Sequence, residues 1–270
     1  MDALDPSATA AGTVRRVPAR LLATALDLVL PQHCLGCQAP GAPVCHDCAR
    51  PLRASPRRVA PTPTPVGFPP TWAVADYDGL VRKAVVAHKE EGRRDLAPLL
   101  SAALAASLRA AVDDAFGDTN PAGGPEIGAR HRPGRPIPVL VVPIPSRPSS
   151  RRQRGDDPTG RLARRALAAL AGSRPGLHRV GLLRHARGVA DQAGLDAAAR
   201  AANLAGALAA RPLPRGVGRG PLVVIVDDVL TSGATLTEAA RALHAGGAGL
   251  VVAAVVAATV RRLVPGGRDD

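Results

Sequence analysis

Aromatic side chains are nearly missing from the 270 residues: Trp72, Tyr77, Phe68 and Phe116 are the whole set. A protein that holds single-stranded nucleic acid by stacking bases on rings is therefore excluded, because successive bases would find no platform. Lysine is almost as scarce. Lys83 and Lys89 are the only two, so 33 of the 35 basic residues are arginine. Long apolar runs are lacking too. Leu250–Val260 and Leu21–Leu30 are the longest, and both fall short of the roughly 20 residues a bilayer helix needs. Arg15, Arg16 and Arg20 before Leu21–Leu30 imitate the front of a signal peptide, but Asp27 interrupts the run and no small-x-small site follows it. A helix over 18–30, ended by Pro31, and a cytoplasmic location are expected instead.

What is present is an ordinary globular mix, with 46% hydrophobic and 21% charged residues, enough for one or two domains with a real core. The formal charge of +13, with an isoelectric point near 11.3, favours anionic partners such as phosphates or nucleic acid. The same arginine excess, beside 28 Gly and 27 Pro, is also what a GC-rich coding sequence produces.

The four cysteines share one window, Cys34-Leu-Gly-Cys37 and, after seven residues, Cys45-His-Asp-Cys48. Two Cys-x-x-Cys pairs joined by a short hairpin have the bite of a tetrahedral zinc site, which would replace a core that some twenty residues cannot build. Two disulfides, or redox chemistry at one pair, are the competing readings. Around this module the chain reads as a loose tail and helix (1–31), the zinc module (32–54), a stiff linker (55–70), a main domain (71–262) with a flexible insertion (117–136), and a C-terminal tail (263–270). The linker holds six prolines in 16 residues, and the insertion nine Gly or Pro in 20.

Within the main domain the pattern alternates. Thr71–Val74 reads as a strand, and 79–92 and 95–115 as helices. The second has one apolar face: Leu96, Leu99, Leu100, Leu104, Leu108 and Val112. Val139–Ile144 reads as a buried strand, while 158–171 and 192–209 read as helices. A last unit runs strand 222–226, loop 227–235, helix 236–245, and strand 249–258. Continuous apolar strands alternating with helices make an α/β fold with a twisted, mostly parallel sheet flanked by helices.

The richest segment is Leu222-Val-Val-Ile-Val-Asp227-Asp228-Val-Leu-Thr231-Ser232-Gly233-Ala234-Thr235. An apolar strand delivers two acids at its C-terminal end, where open α/β sheets place ligands. Amides of the small-residue loop converge at the positive end of a helix dipole, as a phosphate requires. Asp227 and Asp228, ionised, suit the vicinal hydroxyls of a ribose, although a pair of acids in this position also suits a metal. A Walker loop is excluded by the missing lysine, and Gly216-Val-Gly218-Arg-Gly220 precedes its strand, which excludes a dinucleotide fingerprint.

This segment resembles the phosphoribosyl-pyrophosphate (PRPP) signature of type I phosphoribosyltransferases, and other stretches resemble the ComF (competence protein F) family within that superfamily. They are the two Cys-x-x-Cys pairs, Tyr77-Asp-Gly79 through His88-Lys89 to Arg94, Val142-Pro-Ile-Pro145 with Arg151–Gly155, and the series Leu183, Arg184, Arg187, Gln192, Leu195, Arg200, Asn203 and Gly206. The resemblance spans roughly residues 31–260. It implies a phosphoribosyltransferase-like fold with a small N-terminal four-cysteine zinc module (Cys34, Cys37, Cys45, Cys48). Thr231, Ser232, Gly233, Ala234 and Thr235 become the 5′-phosphate clamp, and Asp227 and Asp228 the acceptors at the ribose. Lys89, Arg152 and Arg154 would face pyrophosphate, with Mg²⁺ carried mainly by the substrate. Arg184, Arg187, Gln192 and Arg200 would line the cleft or, equally, cap helices and hydrogen-bond between elements, and Asn203 would serve the framework. His88 and His185 show no partner and are expected at the surface. The resemblance also implies a role in DNA uptake during natural transformation, beside a helicase-like partner. Seven arginines against two aspartates over 147–165 could meet single-stranded DNA through its phosphates. An active phosphoribosyltransferase with an unknown acceptor is the alternative. In one place the chain departs from the family: Asp156-Asp157-Pro158 follows Arg154-Gly155 where Phe-Asn-Gln is usual. This sets two negative charges beside the loop expected to face pyrophosphate.

Overall fold

The computed structural model describes residues 32–117, 138–146, 157–174, 176–186, 204–214 and 221–259. The chain divides into two compact units, Met1–Cys45 and His46–Asp270. The expected helix over 18–30, nearly all of the insertion 117–136 and the C-terminal tail lie outside the described residues.

The larger unit contains β1 (Arg57–Val59), β2 (Thr71–Asp76), α1 (Gly79–Glu90), α2 (Ala97–Ala115), β3 (Val139–Pro143), α3 (Pro158–Leu170), β4 (Leu177–Arg179), β5 (Leu183–His185), β6 (Leu208–Ala210), β7 (Leu222–Leu230), α4 (Ala234–Ala245) and β8 (Leu250–Ala258). Six strands form a mixed, mostly parallel sheet in the order β1-β2-β8-β7-β3-β4. Only β1 runs antiparallel. The stretch expected to be a Pro-rich linker thus supplies one of the two edge strands of the sheet, and its Pro61 and Pro69 are buried.

The apolar strands are buried throughout because helices cover both faces. On one face Leu140, Val142, Val223, Ile225, Val251 and Val255 pack in one cluster with Leu236, Ala239, Ala240 and Leu243 of α4. The alternate residues Val141, Val224 and Val252 are equally buried and point the other way. There α2 packs on β2, β7 and β8, and α3 packs on β3 and β7. The predicted apolar face of α2 is the packed one: Leu96, Leu100, Leu104, Leu108 and Val112 are buried, and Leu99 is half-buried. One described helical stretch, Arg94–Ala115, is long and apolar enough to cross a membrane by composition, and it is mostly buried against the sheet.

Two boundaries differ from the sequence reading. β7 continues to Leu230, so Asp227 and Asp228 belong to the strand. Beyond Val226 it pairs with β8 alone, because β3 ends at Pro143. The end of the region expected to be helical over 192–209 is a strand, since Leu208–Ala210 pairs antiparallel with Leu183–His185. Alanine-rich sequence favours helix weakly, and the cross-strand partner overrides it. The rest of that predicted helix, through residue 203, lies outside the described residues.

Leu104 is fully buried in the middle of α2. Leu104→Ala is expected to lower unfolding stability by about 3 kcal/mol, measured by urea denaturation.

Candidate functional site

The sheet order locates the site. From β3 the chain passes through α3 to β4 on one side, and from β7 through α4 to β8 on the other. Helices α3 and α4 lie on opposite faces, so β3 and β7 part at a topological switch point, where open α/β sheets bind ligands at their carboxyl ends. The loop after β7 is Thr231-Ser232-Gly233. Gly233 takes the left-handed conformation (φ 79°) and serves as the N-cap of α4, with no side chain capping the helix. A residue without a β-carbon is favoured there. The first-turn amides point outward at the positive end of the dipole. Thr231 is exposed, Ser232 and Thr235 are half-buried, and Gly233 and Ala234 are buried.

Lys89, in the last turn of α1, places Nζ 2.8 Å from Asp228 Oδ2. Asp228 is buried, whereas the Lys89 side chain keeps 41% of its surface. Burial by itself would raise the Asp228 carboxyl, but the charge and hydrogen bond of Lys89 outweigh it and hold it below the usual carboxylate range. Burial pushes Asp227 well above that range, and the neighbouring Asp228 charge adds to the effect. The two acids therefore do not ionise independently, as a free pair of sugar acceptors would. Lys89 responds in turn: burial lowers its pKa, but Asp228 and Asp227 more than compensate, and the ammonium is raised. Each carboxylate also accepts from the backbone, Asp227 Oδ1 from Asp228 N at 2.9 Å and Asp228 Oδ1 from Val229 N at 3.0 Å. Sequence reasoning named Lys89, Asp227 and Asp228 separately. The structure brings them together, with Lys89 on the acid rather than free.

His88 is a correction. It is buried, not at the surface. Nδ1 lies 3.1 Å from the Arg93 carbonyl, and Nε2 is buried with no hydrogen-bond partner. Burial, with the Arg161 charge, lowers its pKa, so the ring stays neutral. Arg93 N donates to Ala87 O at 3.1 Å, so the chain folds back over the end of α1, just where Lys89 leaves it. His185 is only partly exposed, and its Nε2 lies 3.2 Å from the Pro145 carbonyl, tying β5 to the segment after β3.

Asp157 explains the departure from the family pattern. It is the N-cap of α3, with Pro158 next to it at the first helical position. Its Oδ1 accepts from Gly160 N at 3.0 Å and from Ser146 Oγ at 3.1 Å, and Oδ2 lies 3.8 Å from Arg179. The charge serves a helix terminus, where an acid is favourable. Arg152, Arg154 and Asp156 lie outside the described residues, as do Arg187, Gln192, Arg200 and Asn203. Arg184 is exposed on β5.

The cysteines form a cluster in which all four sulfurs lie within 4.8 Å of one another. A tetrahedron of thiolates about 2.3 Å from zinc has edges of roughly 3.8 Å, and Cys37 Sγ lies 3.7 Å from Cys45 Sγ. No disulfide joins them. Cys34 Sγ accepts from Gly36 N at 3.4 Å and from Cys45 N at 3.3 Å. Amide hydrogen bonds, led by that of Cys37, lower the Cys34 thiol to about 6 despite burial. A thiolate held by backbone donors is what a zinc ligand requires, so the donor set fits the ion.

With the geometry in place, the comparison with known families is direct. Residues 194–265 match the model of the phosphoribosyl transferase domain. That match supports the type I phosphoribosyltransferase superfamily and covers β7, the loop and α4. No curated protein matches the chain.

Two measurements check this site. The purified protein should carry about one zinc per chain by atomic emission, and Cys34→Ser should lose it. The lowered Asp228 pKa stabilises the fold above the ordinary carboxyl value, and this contribution is lost as the pH falls through the folded value. The raised Lys89 contribution is present below its ordinary value and is lost as the pH rises through the folded one. Lys89→Met is therefore expected to cost about 1 kcal/mol between roughly pH 5 and 9 and progressively less as the pH falls below the ordinary carboxyl range, read from urea melts across pH.

Proposed function

We propose that this protein binds PRPP or a related 5-phosphorylated ribose at the carboxyl end of β7. The observation that carries the reading is the Thr231–Thr235 turn: a left-handed Gly233 opening an uncapped α4 directly after two acids at a switch point. The phosphoribosyl transferase match over the same residues supports it. In this reading Thr231, Ser232, Gly233, Ala234 and Thr235 clamp the 5′-phosphate, and Asp227 and Asp228 meet the ribose hydroxyls. Lys89, paired with Asp228, is assigned to the leaving pyrophosphate. Arg152 and Arg154 are assigned to the same pyrophosphate. Mg²⁺ suits the pyrophosphate oxygens better than the two acids, because Lys89 already balances the Asp228 charge.

Phosphoribosyl transfer breaks the bond from C1 to pyrophosphate through a cationic sugar. It needs positioning and charge more than covalent chemistry. The alternative reading, an active transferase in nucleotide metabolism or salvage, uses the same residues together with an acceptor base.

The finer assignment is to a ComF-like protein of the cytoplasm that acts in DNA uptake. In it, a structural zinc module over 32–54 precedes the phosphoribosyltransferase-like domain over 71–262. The four-cysteine cluster ahead of that domain in the chain and the spaced residues of the family pattern support it. Arg164 and Arg165, exposed on α3, continue the arginine series of 147–165 and suit phosphates of single-stranded DNA. A helicase-like partner completes this assignment.

Calorimetry with PRPP–Mg²⁺ tests the central claim. The wild type should bind in the micromolar to sub-millimolar range, and the Asp227→Asn/Asp228→Asn double variant at least about tenfold more weakly, on the order of 1.4 kcal/mol. A wild type that binds no PRPP would leave the fold without the function.

A further inference from the structure

The phosphate turn leans on a wall that comes from far away in the sequence. A β-carbon added at Gly233 would fall 2.9 Å from Pro61 Cγ and 3.0 Å from Phe68 Cδ2 and Cε2. Both residues belong to the proline-rich segment between β1 and β2. One turn along the same side of α4, a β-carbon on Gly67 would lie 4.0 Å from Thr237 Cγ2, and Thr237 is four residues beyond Gly233. The segment therefore runs beside the first turn of α4.

The wall is itself braced. Thr64 Oγ1 donates to Pro61 O at 2.8 Å, and Phe68 N donates to Pro65 O at 3.1 Å. Thr71 Oγ1 donates to Pro69 O at 2.8 Å, and Ala253 N donates to Pro70 O at 2.8 Å, which anchors the segment to β8. Pro61 is buried, and Phe68 packs against the core cluster that includes Leu236 and Ala239. Prolines have little backbone freedom to lose, so such a wall is stiff.

We propose that Pro61 and Phe68 are positioning residues for anion recognition, acting through Gly233. The inference rests on the phosphoribosyl reading above and adds the part of the molecule that preorganises its clamp. Glycine alone is conformationally loose, and no side chain caps α4. Something else must hold the turn where its amides converge, and the rings on its flank do so. Affinity for a phosphate monoester gathered by backbone amides depends on that convergence, because ordering the turn at the moment of binding would cost affinity. The wall touches the turn assigned to the 5′-phosphate, so its loss should weaken that half of the ligand selectively.

The test uses the full chain and the variants Phe68→Ala and Phe68→Leu. Ribose 5-phosphate and pyrophosphate–Mg²⁺ serve as separate probes in calorimetry, and amide hydrogen exchange is followed over 231–236. Phe68→Ala should raise Kd for ribose 5-phosphate about tenfold and leave that for pyrophosphate within about twofold. Exchange over 232–236 should quicken by about tenfold, with 222–226 unchanged. Phe68→Leu, which keeps an apolar wall, should recover most of both effects. Unchanged exchange in Phe68→Ala would overturn the proposal, as would equal weakening of the two probes. If the wild type ignores ribose 5-phosphate, the phosphoribosyl reading fails, and the exchange arm still decides whether the wall holds the turn. Should Phe68→Ala fail to fold, Phe68→Leu and Pro61→Ala, by exchange, decide the same point.

Discussion

Everything proposed for this protein depends on how one strand ends. β7 outruns β3 by four residues and carries two acids into the gap, where Asp228 is buried and would be costly as a lone charge. Lys89 resolves that cost from a different element. Its ammonium stabilises one carboxylate, and the remaining acid, Asp227, is then driven toward its protonated form by burial and by its neighbour. The turn that follows is left with an uncapped helix terminus. A cation-balanced acid pair and a set of unclaimed amides a few residues apart is an arrangement suited to a ligand with hydroxyls at one end and a phosphate at the other.

The fold was legible where local pattern and tertiary environment agree. Apolar runs at 139–144, 222–226 and 249–258 became strands because both faces of the sheet are covered, and the leucine stripe of α2 faces the sheet it was expected to face. Legibility ended where a distant partner decides. Ala207, Leu208 and Ala209 carry no strand signal of their own, and Leu208 and Ala209 take that form because β5 is alongside. Continuation of β7 through Asp227 and Asp228 went unseen because acids usually mark a strand end, whereas here β8 keeps pairing past them.

In the candidate site, the contiguous motif was readable and its partners from elsewhere in the chain were not. Asp227, Asp228 and the Thr231–Thr235 turn follow from one contiguous motif. That Lys89 meets Asp228 depends on α1 being folded back onto the sheet, a contact between residues far apart in the chain. His88 illustrates the same limit, since nothing near it in sequence shows that it is buried. A clue to the wall beside Gly233 was on view, however. Phe68 is one of only four aromatic residues, and it sits among prolines. Asp157 needed only local reasoning: an acid followed by proline before an alanine-rich run is a helix-start signal.

The edge strand β1 has a consequence beyond the site. An open sheet margin is a template on which another chain can add itself, and aggregation often begins there. Here the margin is three residues long, and two of them are arginines. Arg57 is paired with Asp76, and Arg58 lies over the Trp72 ring at 5.6 Å. An incoming backbone would have to displace charged side chains to find a short ladder, so this edge of the sheet is guarded against self-association by the residue type that makes up nearly all of the chain's basic side chains.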